Sequence, residues 1–424
     1  MASNSFKLRI RNAQIVTVCD SKESFKAGPE QGKISIVENG TIVINNEGLV
    51  EEVGAADLMA QKYKDATFAM DLDGTGKSVV PGLVDGHTHP VWAGDRCHEF
   101  AAKLAGATYM DIHKMGGGIG FSVKHTKEAS EEELSLLLQE RLKRMSKFGT
   151  TLAEAKTGYG LEKETELKML RVLTKESRSV ACGVELVSNY LVHSIPKGST
   201  SAEATKDVLE NQMPALKEAI KEGSVDCELV DVFCDKGIFE IEETKKILEA
   251  GVAMGLSVNF HGDELHPIKA SELAGELGAL ACSHLEMVSD EGIASLAKRP
   301  TVAVLLPTTA YILRLHPPPA RKLIDASVPV ALGSDFNPNA FCLSLPMTMN
   351  FACVLLRLTM QEALVAATIN AAHSMNRSAT HGSLEPGKVG DLLLLKSSSW
   401  EHLIYEIADP PIELVFKRGS VVHP

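Results

Sequence analysis

The chain is 424 residues long with 44% hydrophobic and 23% charged residues, a balance that supports a sizeable packed core and excludes a disordered composition. Its formal charge of −12 repels nucleic acid and anionic membranes unless a local basic patch intervenes, and the sequence holds no such patch. No apolar run reaches the ~18 residues of a membrane span, and the start lacks the basic and apolar regions of a secretory signal, so a cytosolic chain is expected.

Residues 1–78 read as short strands joined by turns. KLRIRNAQIVTV is followed by KISIVENGTIVINNEGLVEEVG, where Asn39-Gly40 and Asn46-Glu47-Gly48 are hairpin-type turn signals. The apolar run Val79-Val80 and Leu83-Val84 then leads into Asp85-Gly86-His87-Thr88-His89. Residues i and i+2 of a strand share a face, so His87 and His89 can converge on one metal ion where the strand stops. Taken alone, such a pair is equally well read as two solvated histidines. From here to about residue 380, short apolar strands alternate with longer helical stretches, the pattern of βα units on a parallel sheet. Ser130-Glu131-Glu132-Glu133 forms a capping box for a helix running to Met145, with Gly149 as its stop. Further helices are predicted over 162–176, 241–254, 267–277, 290–297 and 359–375. Between them lie the strands TTLAEAK, VDVFC, LSVNF, ACSHL, TVAVLL and PVALGS. The C-terminal stretch, GSLEPGKVGDLLLL and IELVFKRGSVV, returns to β character.

A chain that is β at both ends and βα in the middle can pair its ends into one small sandwich beside a parallel α/β barrel. That division places 1–78 and 381–424 in the sandwich and 79–380 in the catalytic barrel. The eight cysteines lack Cys-x-x-Cys spacing, so free thiols are expected rather than disulfides or a zinc cluster.

In a parallel barrel the carboxyl ends of the strands meet around one mouth, where active sites of this architecture sit. LSVNF ends at His261, ACS at His284 and PVALGS at Asp335. His87, His89, His261 and Asp335 therefore make an N₃O set suited to Zn²⁺ or Fe²⁺ with a position left for water. A water held there is acidified from 15.7 to about 7, which makes hydrolysis the natural chemistry. His284 taken alone reads more readily as a hydrogen-bonded structural histidine. Glu264, three residues after His261, can move a proton between water and a leaving nitrogen, and His284 can orient that water or share the base role with Asp335. The sequence leaves these three roles unseparated. For Glu264 the plain alternative is a carboxylate at the N-terminus of the helix over 267–277.

On PGLVDGHTHPVWAGDR, KTGYG, NFHGDELHP, SHLE, LLPTTAY, GSDFNPN and GSLEPGKVGDLLLL, the chain resembles the imidazolonepropionase family of the amidohydrolase superfamily, from about residue 8 to 420. The His-x-His pair with a later His and Asp marks only the superfamily, whereas Arg96, KTGYG and HGDELHP are much narrower. The resemblance implies a (β/α)₈ barrel of TIM type with a composite β-sandwich, one Zn²⁺ or Fe ion per subunit, and a homodimer. It also implies conversion of 4-imidazolone-5-propanoate and water into N-formimidoyl-L-glutamate in histidine degradation. Residue by residue, it makes His87, His89, His261 and Asp335 the metal ligands. It makes Arg96, Tyr159, His193, Glu264, His284 and Asn337 groups of the substrate site.

Physical reasoning agrees at several of these. A propanoate tail needs a cation, and Arg96 offers a bidentate fork for a carboxylate; its plain alternative is a surface salt bridge. Tyr159 sits between glycines that let the backbone approach a ligand, or it is an ordinary turn tyrosine. Lys156 could be read as the carbamylated bridge of a two-metal site, but the resemblance is to a one-metal family and Lys156 is given no ligand role. Two departures stand out: Leu191-Val192 precedes His193 where the family commonly has Gly-Ala, and Asn339-Ala340 stands where bacterial members have Gly-Ser. Competing readings are a purine or pyrimidine aminohydrolase, which has no evident need of Arg96, and a non-enzymatic scaffold, from which lost metal ligands would be expected.

Overall fold

The computed structural model describes residues 4–106, 117–179 and 181–423. Two eight-stranded sheets organise it. The first draws on both chain ends: β1 (Ser5–Val16), β2 (Ile36–Ile44), β3 (Val50–Ala55), β4 (Thr67–Asp73) and β5 (Ser78–Pro81) join β14 (Leu392–Leu395), β15 (Ile412–Lys417) and β16 (Ser420–His423). Their union is the antiparallel pair β5 and β14, with Val80 opposite Leu393. Period-2 alternation assigns the faces. Leu8, Ile10, Ile15, Ile42, Ile44, Leu392 and Leu394 form the sheet's own core, whereas Leu393 and Leu395 belong to the large cluster shared with the barrel helices. The four consecutive leucines of β14 lack alternation because both of its faces are covered.

The second sheet is parallel and in chain order: β6 (Leu83–Asp85), β7 (Thr150–Lys156), β8 (Glu185–Val192), β9 (Leu229–Cys234), β10 (Ser257–Gly262), β11 (Ala281–His284), β12 (Val302–Leu305) and β13 (Val330–Leu332). It curls until its edges meet. Gly86 N donates to Leu332 O at 3.0 Å, Asp335 N to His87 O at 3.0 Å, and His89 N to Phe336 O at 2.8 Å. The result is the α/β barrel read from the alternating pattern. Val84, Leu152, Val187, Leu229, Ala281, Val302, Val304 and Ala331 fill its floor, a packed core rather than a pore.

Some predicted elements change. β8 was missed because ELVSNYLV carries Ser188 and Asn189 where an apolar run is the usual signal; both are buried. The helix predicted over 359–375 is two, Met360–Ala366 and Ile369–His373. They separate because the Ala367 carbonyl accepts Val84 N at 2.8 Å instead of continuing the helix. The helix predicted from 267 begins only at Ala270. All eight cysteines are free. No helix among the described residues is long and apolar enough to cross a membrane.

Candidate metal centre and active site

The carboxyl ends of β6, β10, β11 and β13 bring the predicted ligand-type side chains together. His87 Nε2 and His89 Nε2 are 3.3 Å apart, and Asp335 Oδ1 lies 3.5 Å from the first and 3.3 Å from the second. Donors ~2.0–2.1 Å from a common ion in tetrahedral array stand roughly 3.4 Å apart, so this spacing fits a transition-metal site. Ring nitrogens of His87, His261 and His284 also gather within 4.8 Å of one another. The two groups share His87, which makes it the hub.

Local backbone geometry explains why these side chains face the mouth. Asp335 has φ 47° and His284 φ 78°, left-handed conformations uncommon outside glycine and concentrated at functional sites. Strand alternation alone would send His284 to the outer face with Cys282, which lies in the outer core. The left-handed turn at the strand end swings it inward, 5.2 Å ring to ring from His261. Gly333 is needed for the approach of β13 to β6, because a Cβ there would sit 2.6 Å from His87 Cβ. Asp85 staples the same junction, its Oδ1 accepting Ser334 N at 2.9 Å.

Electrostatics favour ligation. Burial lowers His87 well below the ordinary histidine range, and burial outweighs Asp231 to bring His261 to about 4. Both rings are therefore neutral near pH 7, as metal binding requires. Burial alone would raise Asp335, but the His89 ring 3.3 Å away and the nearby charge of His284 hold its carboxyl well below the usual range. The Thr309 hydroxyl donates to Asp335 Oδ2 and fixes the carboxylate.

Below His261 lies a network absent from the sequence reading. Asp231 Oδ1 accepts His261 N and faces His261 Nδ1, each at 3.0 Å. Asp231 Oδ2 accepts from Lys156 Nζ at 2.7 Å, and Lys156 also meets Glu154 at 2.8 Å. Asn189 and Asn259 donate to Glu154 Oε1 at 2.6 and 2.8 Å. Burial pushes Glu154 up to about 7; against burial, Asp231 raises Lys156, and His261 and then Lys156 lower Asp231. The only available signal was charge in the interior of buried strands, at Glu154 and Lys156 in TTLAEAK and at Asp231 in LVDVFC.

Just past the end of β10 lies Glu264, buried, with Oε2 3.5 Å from His284 Nε2. Burial pushes Glu264 up to about 8. Burial would lower His284, yet Glu264 and then Glu286 outweigh it and raise the ring to about 10. Capping of the Ala270–Leu277 helix falls to Asp263, which accepts Ala270 N at 3.1 Å and Ser271 N at 2.9 Å. The helix-terminus alternative for Glu264 therefore belongs to its neighbour.

The remaining predicted residues follow the carboxyl ends of β6, β7, β8 and β13. Arg96 is buried and forks onto Glu99, Nε to Oε1 at 2.9 Å and Nη2 to Oε2 at 2.8 Å. It is a buried pair, not a surface one. Tyr159 and His193 stand 5.3 Å apart ring to ring, and His193 stacks on His89 at 5.5 Å. Leu191 and Val192 leave His193 in the mouth, its Nδ1 3.2 Å from Gly158 O. Gly158, at φ 101°, must be glycine, since a Cβ would meet Leu191 and His193 at 2.8 and 2.9 Å. Glu166 fixes this loop by accepting Gly158 N, Gly160 N and Leu161 N at 2.7–3.0 Å. The Asn337 side chain is engaged within its own loop, accepting Asn339 N at 2.7 Å and Ala340 N at 3.0 Å and donating to Asp335 O at 2.8 Å.

Residues 78–423 match the Amidohydrolase family. The chain is 53% identical over 427 residues to a protein of Danio rerio named "Probable imidazolonepropionase", covering 100% of this chain and 98% of the relative. It is 57% identical over 418 residues to one of the same name from Dictyostelium discoideum, covering 98% of each. Among solved structures, E. coli guanine deaminase superposes with a TM-score of 0.69 at 17% identity, covering 98% of each chain; at that identity the likeness is one of fold.

Proposed function

The chain belongs to the amidohydrolase family, and from that membership we propose that it hydrolyses 4-imidazolone-5-propanoate to N-formimidoyl-L-glutamate, a ring-opening step of histidine degradation. The observation that supports this most directly is the gathering of His87, His89 and Asp335, and of His87, His261 and His284, in two buried groups that share His87. A divalent cation held by those four side chains, Zn²⁺ or Fe²⁺ and one per subunit, would supply acidification of water and polarisation of the ring carbonyl.

The protein's own groups divide the remaining work. Water adds across the ring amide: its oxygen bonds to the carbonyl carbon, the C–N bond breaks, and the freed nitrogen takes a proton. Asp335, held as a carboxylate, is suited to accept the proton from water. Glu264, pushed up to about 8, carries a proton near pH 7 that can pass to the leaving nitrogen. His284, 3.5 Å from Glu264 and 3.7 Å from Glu286, is placed to donate to the negative charge that develops on the carbonyl oxygen. Arg96, oriented by Glu99, receives the propanoate carboxylate by a charge-assisted fork. Tyr159 and His193 wall the ring against His89, and Asn337 shapes the 337–340 loop. A cytosolic homodimer completes the reading, and sedimentation of the purified protein gives its mass.

The test is decay of imidazolone propanoate absorbance, with formation of formimidoylglutamate followed by mass. Decay should stop on chelation and return when Zn²⁺ or Fe²⁺ is restored. Turnover that persists after complete demetallation would overturn the mechanism.

A further inference from the structure

Lys156, Glu154 and Asp231 are each 0% exposed and lie inside the barrel directly beneath the candidate metal centre. The layer below them, Leu152, Val187 and Leu229, fills the same strands with apolar side chains. Carbon would therefore serve for packing here, and three buried ionisable side chains carry a desolvation cost that packing does not require. Their geometry points at one atom. Asp231 grips His261 at two places, backbone N and Nδ1, both 3.0 Å from Oδ1. An ionised carboxylate only accepts, so the proton resides on Nδ1 and the Nε2 lone pair is left for the mouth. Lys156 Nζ, 2.7 Å from Asp231 Oδ2, holds the second oxygen and keeps the carboxylate from rotating. Glu154 anchors Lys156 in turn and is itself held by Asn189 and Asn259.

We infer that Asp231, Lys156 and Glu154 form a buried charged chain that fixes the tautomer and ring orientation of His261, with Lys156 acting as a positioning residue and not as a metal ligand. The inference rests on the reading of His261 as a ligand. Carboxylates that orient metal-bound imidazoles commonly change metal affinity 10- to 100-fold when altered, and this one is itself locked by a lysine.

Asp231→Asn tests it, since the amide oxygen can still accept from Nδ1 while the charge is lost. Three readouts are taken on the full chain: circular dichroism, Zn²⁺ affinity by chelator competition, and the ¹⁵N resonances of His261 in metal-free protein. A folded variant should bind Zn²⁺ about 10- to 100-fold more weakly, with His261 shifted from the pure Nδ1–H form toward a tautomer mixture. Wild-type affinity together with an unchanged tautomer overturns the inference. Should Asp231→Asn fail to fold, Glu154→Gln, which touches none of the proposed ligands, is read in the same assay. Weakened binding supports the chain and unchanged binding overturns it. His261→Ala separates the two readings: if it keeps wild-type affinity, the ligand assignment fails. If it loses the metal while Asp231→Asn does not, only the positioning role fails.

Discussion

Individual residues govern the site through steric and charge demands that can be tested one at a time. Gly333 allows β13 to approach within bonding distance of β6, and a methyl group there would collide with His87 at 2.6 Å. Gly333→Ala should therefore displace His87 and abolish stoichiometric metal binding, measured by metal analysis of purified protein, while leaving secondary structure by circular dichroism close to wild type. Arg96 cannot be removed alone without leaving Glu99 buried and unpaired, so the informative variant combines Arg96→Met with Glu99→Gln. Loss of one charged hydrogen-bonding partner is worth about 1.5–3 kcal/mol, or roughly 10- to 100-fold. We expect KM for imidazolone propanoate to rise by that factor with little change for a ring lacking the carboxylate; equal effects on both would remove Arg96 from carboxylate recognition. The ligand candidates were legible because each is a metal-binding residue type placed after an apolar strand. Asp231 and Thr309 were not, because their partners His261 and Asp335 are remote in sequence and only barrel closure joins them.

At the scale of elements, local signals worked where a helix or strand carries its own stop and start. Ser130 caps the Glu131–Lys147 helix by accepting Glu133 N at 3.1 Å, and Gly149 follows at φ 89°. Replacing such a cap with alanine costs about 1 kcal/mol. Ser130→Ala should lower stability by that amount in urea unfolding without changing kcat, since the Ser130 hydroxyl bonds within its own helix end. The same signals failed for β8, where Asn189 is polar but buried because it donates to Glu154 on the neighbouring strand β7. They failed again at Ala367, whose carbonyl serves β6 instead of its own helix. In both places a tertiary hydrogen bond overrides the local pattern.

The whole molecule depends on the junction between the barrel and the sheet of the two chain ends. Lys417 on β15 reaches Asp391 at 2.6 Å, Glu185 on β8 at 3.3 Å and Thr151 O at 3.1 Å, almost entirely out of water. Removing one partner of a buried cluster is worth about 3–5 kcal/mol, so Lys417→Met should destabilise the fold by that order in denaturant titration. Burial alone would raise Glu185, but the His381 ring 3.5 Å away and the charge of Lys417 outweigh it and hold the carboxyl well below its ordinary value of 4.5. A depressed folded value means the stabilisation is present above pH 4.5 and fades as the pH falls below it toward the folded value. Acid unfolding of the wild type should show this loss, and Lys417→Met should flatten it; an identical acid profile in the variant would contradict the linkage.

By itself the sequence determined the βα alternation of the middle segment apart from β8, the joining of both ends into one sheet, and the residue types His87, His89, His261, His284 and Asp335 at strand ends. Those follow from side-chain period and residue chemistry, which are properties of short segments. Only the tertiary structure decided that His284 turns inward, that Asp263 and not Glu264 caps the helix, and that Lys156 is held between Glu154 and Asp231. Each of these depends on a backbone turn or a hydrogen bond settled by closing the barrel, and closure is a property of all eight strands at once.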